Sequence, residues 1–411
     1  VRLLFVVQRY GAEVAGGAEA ACRDVASRLA GRGHEVQALT SCAQSYVDWA
    51  NVYPEGDEQI DGVLVHRMPV DHPRDNRFFG PMNARAVHGH RPVPLYLQEE
   101  WMRQQGPEVP GVAPWLAERA AQFDAVVFFT YLYYTAWAGL PVAAGLAPTV
   151  LVPCAHDEPP IYLPLFDVLF RLPSALGYLS EEEEALVERR FRVRRPSAVV
   201  GLGVDLAAGG DDDGFRRHFG LGSRPYLLYV GRLDPGKGSD ELYSFFTAYK
   251  ARNPGPLALV VVGEPVKPLP DHPDVVCTGF VDEATKASAV AGCLCLVHPS
   301  YYESFSLVLV EAWAQSKPAL VQGHCAVLVG QAQRSAGAIP YTGFPEFEAA
   351  IDLLLGDPGL CHDLGVRGRM YVERRYPWDT VLDHYEHLLD TAIAFFRRSV
   401  PRVATAAIRT P

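Results

Sequence analysis

Residues 298–321 read HPSYYESFSLVLVEAWAQSKPALV. From Phe305 to Ala314 the run is nearly all apolar, yet Glu303 stands just before it and Glu311 within it. A buried carboxylate without a partner is costly. Either Glu311 points to water on an ordinary amphipathic helix, or something polar comes to meet it. The stretch also carries a rhythm. A short apolar run ends at His298, a helix-length segment follows, and PALV opens another apolar run. Strand, helix, strand is the repeat of a parallel sheet covered by helices.

The same rhythm runs outward through all 411 residues. In the first half LLFVV leads into a loop ending at Gly16-Gly17. A helical segment follows and stops at Gly31 and Gly33, and strand-like runs return at EVQALT, VLVHRM, AVVFFT and PTVLVP. In the second half YLLYVGRL, LALVVVG, DVVCTGF, LCLVHPS, PALVQ and AIPYTG alternate with helical segments. The expected class is α/β, with two Rossmann-like, doubly wound parallel-sheet domains. The expected divisions are 1–202, 203–378, and a last segment 379–411 holding a long amphipathic helix, able to pack back on the first domain, and a frayed tail. The Gly- and Asp-rich stretch Gly201 to Gly214 reads as the hinge. Residues 71–115, rich in Pro, His and Arg, read as a connection too long to be plain.

Composition narrows the function. A net charge of −11 argues against nucleic acid as a main partner. The acidic run Glu181 to Glu184 and the basic run Arg189 to Arg195 read as solvated faces of one helix and its exit. The alternative for the basic run is a weak peripheral contact with an anionic membrane. The eight cysteines are scattered without zinc spacing, as expected for free thiols in a reducing compartment. With neither a secretory signal nor an apolar run of about 18 residues, a cytoplasmic protein is expected.

Ligands of open α/β sheets bind outside the carboxyl ends of the strands. After YLLYV come Gly231-Arg232 and then Lys237, two cations on a Gly/Pro loop that opens a helix. Such a loop can present both to phosphate oxygens, though a plain surface turn is the alternative. It is not a Walker A loop. In the quoted stretch Ser304 or Ser306 can cap the helix, and free N–H groups around Phe305, Ser306 and Leu307 make an anion site. Glu303 and Glu311 can then accept from sugar hydroxyls.

Four features stand in order: G-G-A-E at 16–19, G-V-D at 203–205, V-G-R-L-D-P-G-K-G at 230–238, and E-S-F-S-L-V-L-V-E at 303–311. Together they resemble the GT-B fold retaining glycosyltransferases of the group 1, or family 4, type. The resemblance spans nearly the whole chain. It implies two domains facing each other across a cleft, with the acceptor on the N-terminal side and a nucleotide-diphosphate sugar of UDP or GDP type on the C-terminal side. No other cofactor and no metal are implied. By that resemblance Arg232 and Lys237 neutralise the diphosphate, and the backbone of Ser304, Phe305, Ser306 and Leu307 meets phosphate or sugar. Glu303 holds hydroxyls of the transferred sugar, Glu311 takes the ribose hydroxyls, and Phe280 and Val281 pack the base. Gly16 and Gly17 let the first loop approach the diphosphate. His156, after PTVLV, resembles the active-site histidine of many members, with a structural histidine as the alternative. Ser306 departs from the family's usual glycine, and its hydroxyl either restricts the donor or caps the helix.

Other readings stay beside this one. Tyr131, Tyr133 and Tyr134 are acceptor-shaping rings or core. His88 and His90 form a surface turn rather than a metal pair, and Asp211 to Asp213 form a solvated loop rather than a metal motif. The rival activities are a sugar-nucleotide epimerase, a phosphorylase with Lys317 as its Schiff-base lysine, a nicotinamide oxidoreductase, and a non-catalytic sugar-nucleotide-binding subunit. The oxidoreductase lacks its fingerprint, because the glycines at 11, 16 and 17 do not make G-x-G-x-x-G. The acceptor is left open between a carbohydrate, a lipid-linked sugar and a small molecule.

Overall fold

A computed structural model describes residues 1–14, 16–88, 92–206, 209–233, 235–263 and 271–399. His90, Asp234, two residues of the expected hinge (Ala207 and Ala208) and the tail from Val400 lie outside the described residues.

The first sheet comprises β1 (Arg2–Val6), β2 (Glu35–Ser41), β3 (Gly56–Ile60), β4 (Val63–Met68), β5 (Ala125–Phe129), β6 (Thr149–Val152), β7 (Ala175–Tyr178) and β8 (Ser197–Val199). Its order is β3-β4-β2-β1-β5-β6-β7-β8. All neighbours are parallel except β3, which returns on β4 as a hairpin. The second sheet comprises β9 (Tyr226–Val230), β10 (Ala258–Val262), β11 (Val275–Gly279), β12 (Cys295–His298), β13 (Ala319–Gln322) and β14 (Ala338–Tyr341). Its order, β11-β10-β9-β12-β13-β14, is parallel throughout. This is the Rossmann order, reversing direction between β9 and β12. Central strands such as AVVFF and ALVVV are buried along their whole length, because helices cover both faces.

The chain divides into two compact units. The first holds Val1–Leu179, Glu184–Val200 and the chain from Leu382; the second holds Ser180–Glu183 and Gly201–Val381. The last helix, Trp378–Ser399, thus ends in the first unit. There Asp383 and Glu386 meet Arg32 at 2.7 and 2.9 Å, and Leu388 lies so near Gly177 that a Cβ on that glycine would come within 2.8 Å.

Three expectations change. The long segment 71–115 is largely helical, with helices at Asn76–His88, Leu95–Gln105 and Val112–Arg119 starting within it. Apolar residues at helical spacing were hidden there by the punctuating prolines. Asp211 to Asp213 are not a solvated loop. Asp211 accepts from the Gly214 N–H as an N-cap, and Asp212 pairs with Arg216 at 2.7 Å on the helix Asp212–His218. The acidic run is not simply solvated either. Glu182 receives Arg334 in a two-pronged pair at 2.5 and 2.9 Å, and Glu181 pairs with Arg375 at 2.7 Å.

Candidate functional site

Where the second sheet reverses its order, the carboxyl ends of β9 and β12 lie side by side. The loop after β9 carries Arg232 and Lys237; the loop after β12 carries Glu303. Backbone packing sets the distance between them. Gly238 has φ of 70°, and a Cβ there would sit 2.2 Å from the Pro299 carbonyl oxygen. Only glycine permits both the left-handed conformation and the approach. Lys237 Nζ consequently donates to Glu303 Oε1 at 2.7 Å. The Tyr229 hydroxyl donates to the Arg232 carbonyl at 2.5 Å and pins the start of the loop, while the Arg232 side chain is exposed.

Glu303 is mostly buried, its side chain 12% exposed, with His298 Nε2 3.3 Å from the oxygen that Lys237 bonds. Burial works to raise its pKa. The Lys237 ammonium, and then His298, outweigh burial and hold the carboxyl well below the usual carboxylate range. Among the described residues His298, 5% exposed, has no well-aligned hydrogen bond at either ring nitrogen, so its approach to Glu303 is a close contact.

The helix after this loop runs Leu307–Ala314. Its free N–H groups therefore begin at Leu307, slightly later than expected. Ser306 is the N-cap residue, but its side chain makes no capping bond, and neither does Ser304 take the cap position. Ser306 has φ of 74°, and its buried Oγ finds no hydrogen-bond partner among the described residues. The family's usual glycine would hold this conformation without strain. Phe305 is buried against Tyr376, and its carbonyl accepts from Gln331, so the ring is structural while its backbone lines the helix start.

Glu311 is answered from within the protein. It is partly buried, and Lys286 Nζ donates to its Oε1 at 3.0 Å. Lys286 lies on the helix Glu283–Gly292, which Asp282 caps and which follows the loop holding Phe280 and Val281. Phe280 is 71% exposed beside that helix start, an apolar ring presented to solvent. Sequence reasoning missed both Lys286 and His298. The strand-end rule that found Glu303 could have found His298, whereas Lys286 is separated from Glu311 by 25 residues and no local pattern joins them.

The first unit places its own residues at strand ends. Gly16 is the more crowded of the two glycines, since a Cβ would meet Glu19 Oε2 at 2.2 Å and the Glu19 side chain would have to shift. Glu19 is in turn paired with buried Arg9 at 2.5 Å. Among the described residues a Cβ on Gly17 would meet nothing within 4 Å, so their packing does not require glycine there. His156, after β6, is partly buried with Nδ1 3.4 Å from Glu158 Oε1. Tyr131 is core, edge-on to Phe166 at 4.8 Å. Tyr133 and Tyr134 are partly buried, against Trp49 and Trp137. Lys317 donates to the Cys293 carbonyl at 3.2 Å, as a turn residue does. Among the described residues no cluster of three or more His, Cys, Asp or Glu could hold a metal, and no helix is long and apolar enough to cross a membrane.

Residues 212–370, the span containing the Lys237–Glu303 and Lys286–Glu311 pairs, match the family model described as glycosyl transferases group 1. Similar proteins include the D-inositol 3-phosphate glycosyltransferase of Segniliparus rotundus, 29% identical over 45% of this chain and 44% of its own length. They also include the GDP-mannose-dependent alpha-mannosyltransferase of Mycolicibacterium smegmatis, 26% identical over 78% of this chain and 79% of that protein. The glycogen synthase of Mycobacterium tuberculosis is 26% identical over 93% of this chain and 92% of its own. The chain thus spans less than half the length of the first relative and most of the other two. Among solved structures, sucrose-phosphate synthase from Thermosynechococcus elongatus superposes with a TM-score of 0.71 at 18% identity, over 96% of this chain and 99% of that one. Anabaena HepE in complex with UDP-glucose gives 0.69 at 16% identity, over 95% and 99%.

Proposed function

We propose that this chain, whose residues 212–370 match the group 1 glycosyl transferases, is a glycosyltransferase on a GT-B fold that moves a sugar, with retention, from a nucleotide-diphosphate sugar of UDP or GDP type onto a hydroxyl acceptor. One observation carries this reading. At the reversal point of the second sheet, a lysine and a mostly buried, ionised glutamate are held together beside an open helix N-terminus.

The chemistry follows from where charge develops. As the bond from sugar to diphosphate breaks, negative charge builds on the leaving oxygens. Arg232, Lys237 and the N–H groups from Leu307 are the donors for that charge, and preorganised donors of this sort contribute a large part of many rate enhancements. Glu303 accepts from hydroxyls of the transferred sugar, with the backbone of Ser304, Phe305 and Ser306 beside it. Phe280 and Val281 receive the base, and Glu311 receives the ribose hydroxyls. The first unit, taken by itself, offers Gly16, Gly17 and His156 as its candidate groups, His156 with its Nδ1 3.4 Å from Glu158 Oε1. Attack and departure on one face of the sugar preserve its configuration without a covalent carboxylate intermediate. The printed name of one relative, a glycogen synthase, supports a carbohydrate acceptor, and that of another, a GDP-mannose-dependent mannosyltransferase, supports a nucleotide-sugar donor.

The test is thermal unfolding with UDP, GDP, ADP and NAD in parallel. A ligand at 100 times its dissociation constant stabilises by about 2.7 kcal/mol. A raised midpoint with one nucleoside diphosphate supports the reading and names the base. A shift with NAD alone overturns it.

A further inference from the structure

Each glutamate of the E-x7-E pair has its own lysine. Lys237 reaches Glu303 from the loop after β9, and Lys286 reaches Glu311 from the helix after β11. Lys286 sits between Glu311 at 3.0 Å and Glu283 at 2.6 Å, and its side chain is largely buried. The same two helices are tied again by Gln315, whose Nε2 donates to the Ala287 carbonyl at 3.2 Å. The lysine therefore lies at a fixed place beside the Glu311 carboxylate, on the helix that follows the loop carrying the exposed Phe280.

From this geometry we infer that Lys286 is a positioning residue for the nucleoside half of the donor: by holding one oxygen of Glu311, it orients the carboxylate toward the vicinal diol of a ribose. The inference rests on the proposed donor site. Its physical basis is ordinary. A carboxylate accepts two hydroxyls of a diol well only when it is ionised and rotationally fixed, and a partly buried ammonium on one oxygen does both. Burial favours a neutral Lys286, yet the Glu311 and Glu283 charges outweigh it and raise its pKa, so the ammonium persists across the physiological range. Glu283, largely exposed, adds its charge to the lysine from the solvent.

The experiment is calorimetric titration of UDP, GDP and ADP, each with its 3′-deoxy form, into the wild type and into Lys286→Met, Lys286→Arg, Glu311→Gln and the double variant Lys286→Met/Glu311→Gln. Expected is a loss of about tenfold in affinity for the bound ribonucleotide in Lys286→Met. The 3′-deoxy form should be affected little, and Lys286→Arg should recover most of the loss. The double variant should be no worse than Glu311→Gln alone, because the lysine acts through the glutamate. Equal losses for ribo and deoxy forms, or no loss in Lys286→Met while Glu311→Gln weakens binding, would overturn the role of Lys286 and leave the donor site standing. If Glu311→Gln itself binds the ribonucleotide like the wild type, the donor-site assignment falls, and this inference with it.

Discussion

Lys237 Nζ meets Glu303 Oε1 at 2.7 Å, each residue carried by the loop that follows one of the two strands flanking the reversal of the second sheet. Glu303 is mostly buried, and Lys237 is more exposed. Lys237→Met leaves a mostly buried carboxylate without its ammonium and should destabilise by about 1–3 kcal/mol, less than for a fully buried pair because water reaches the lysine. Glu303→Gln should lose less. Urea denaturation of both variants and their double compares them, and equal losses would mean that the burial of Glu303 does not govern the pair.

The same carboxyl predicts a pH dependence. Its folded pKa lies below the unfolded value of about 4.3. Its contribution is therefore present above that pH and lost as pH falls through the folded value. The stability gap between wild type and Glu303→Gln should be flat from pH 7 to 5 and shrink below about 4.3. A gap that widens on acidification would contradict the depressed pKa.

Transfer and binding should separate by residue. Glu303→Ala is expected to lower transfer at least about 100-fold while bare nucleoside diphosphate binds nearly as before. His156→Ala should behave likewise, with a loss of about 100-fold or more. Glu311→Ala should instead weaken nucleotide binding. Normal transfer in both glutamate variants would refute the site assignment.

Ser306 holds a left-handed backbone and a buried hydroxyl without a partner among the described residues. Removing both penalties outweighs the added freedom of glycine in the unfolded chain. Ser306→Gly should stabilise by about 1 kcal/mol in chemical denaturation. A destabilised variant would show that the hydroxyl does have a partner.

Gly238→Ala should act in the opposite sense. Its Cβ would collide with the Pro299 carbonyl, and the positive φ adds strain. A loss of about 2–4 kcal/mol is expected. Nucleoside diphosphate affinity should fall with it, because the loop that brings Lys237 to Glu303 must move. Unchanged affinity would detach Lys237 from the donor.

The sequence by itself was enough for two largely parallel sheets, though not for β3, β7 or β8 of the first or for the antiparallel return of β3, and for naming Arg232, Lys237, Glu303 and Glu311 as the residues to examine. Apolar runs separated by helical periods and glycine punctuation are local signals, and they survive in a linear reading. It could also place Ser306 out of pattern. It could not tell that Ser306 fails to cap its helix, since that depends on backbone dihedrals and on the direction of one hydroxyl. Nor could it join Lys286 to Glu311 or His298 to Glu303, or turn the acidic Glu181-Glu182 into partners of Arg375 and Arg334. Those pairs span from 5 to 194 residues and cross between elements. Charge pairing is decided by distance in space, and only the folded chain sets which side chains come within reach. The opening puzzle of Glu311 is resolved at that level: a helix that looked too apolar for a carboxylate is met by a lysine from its neighbour.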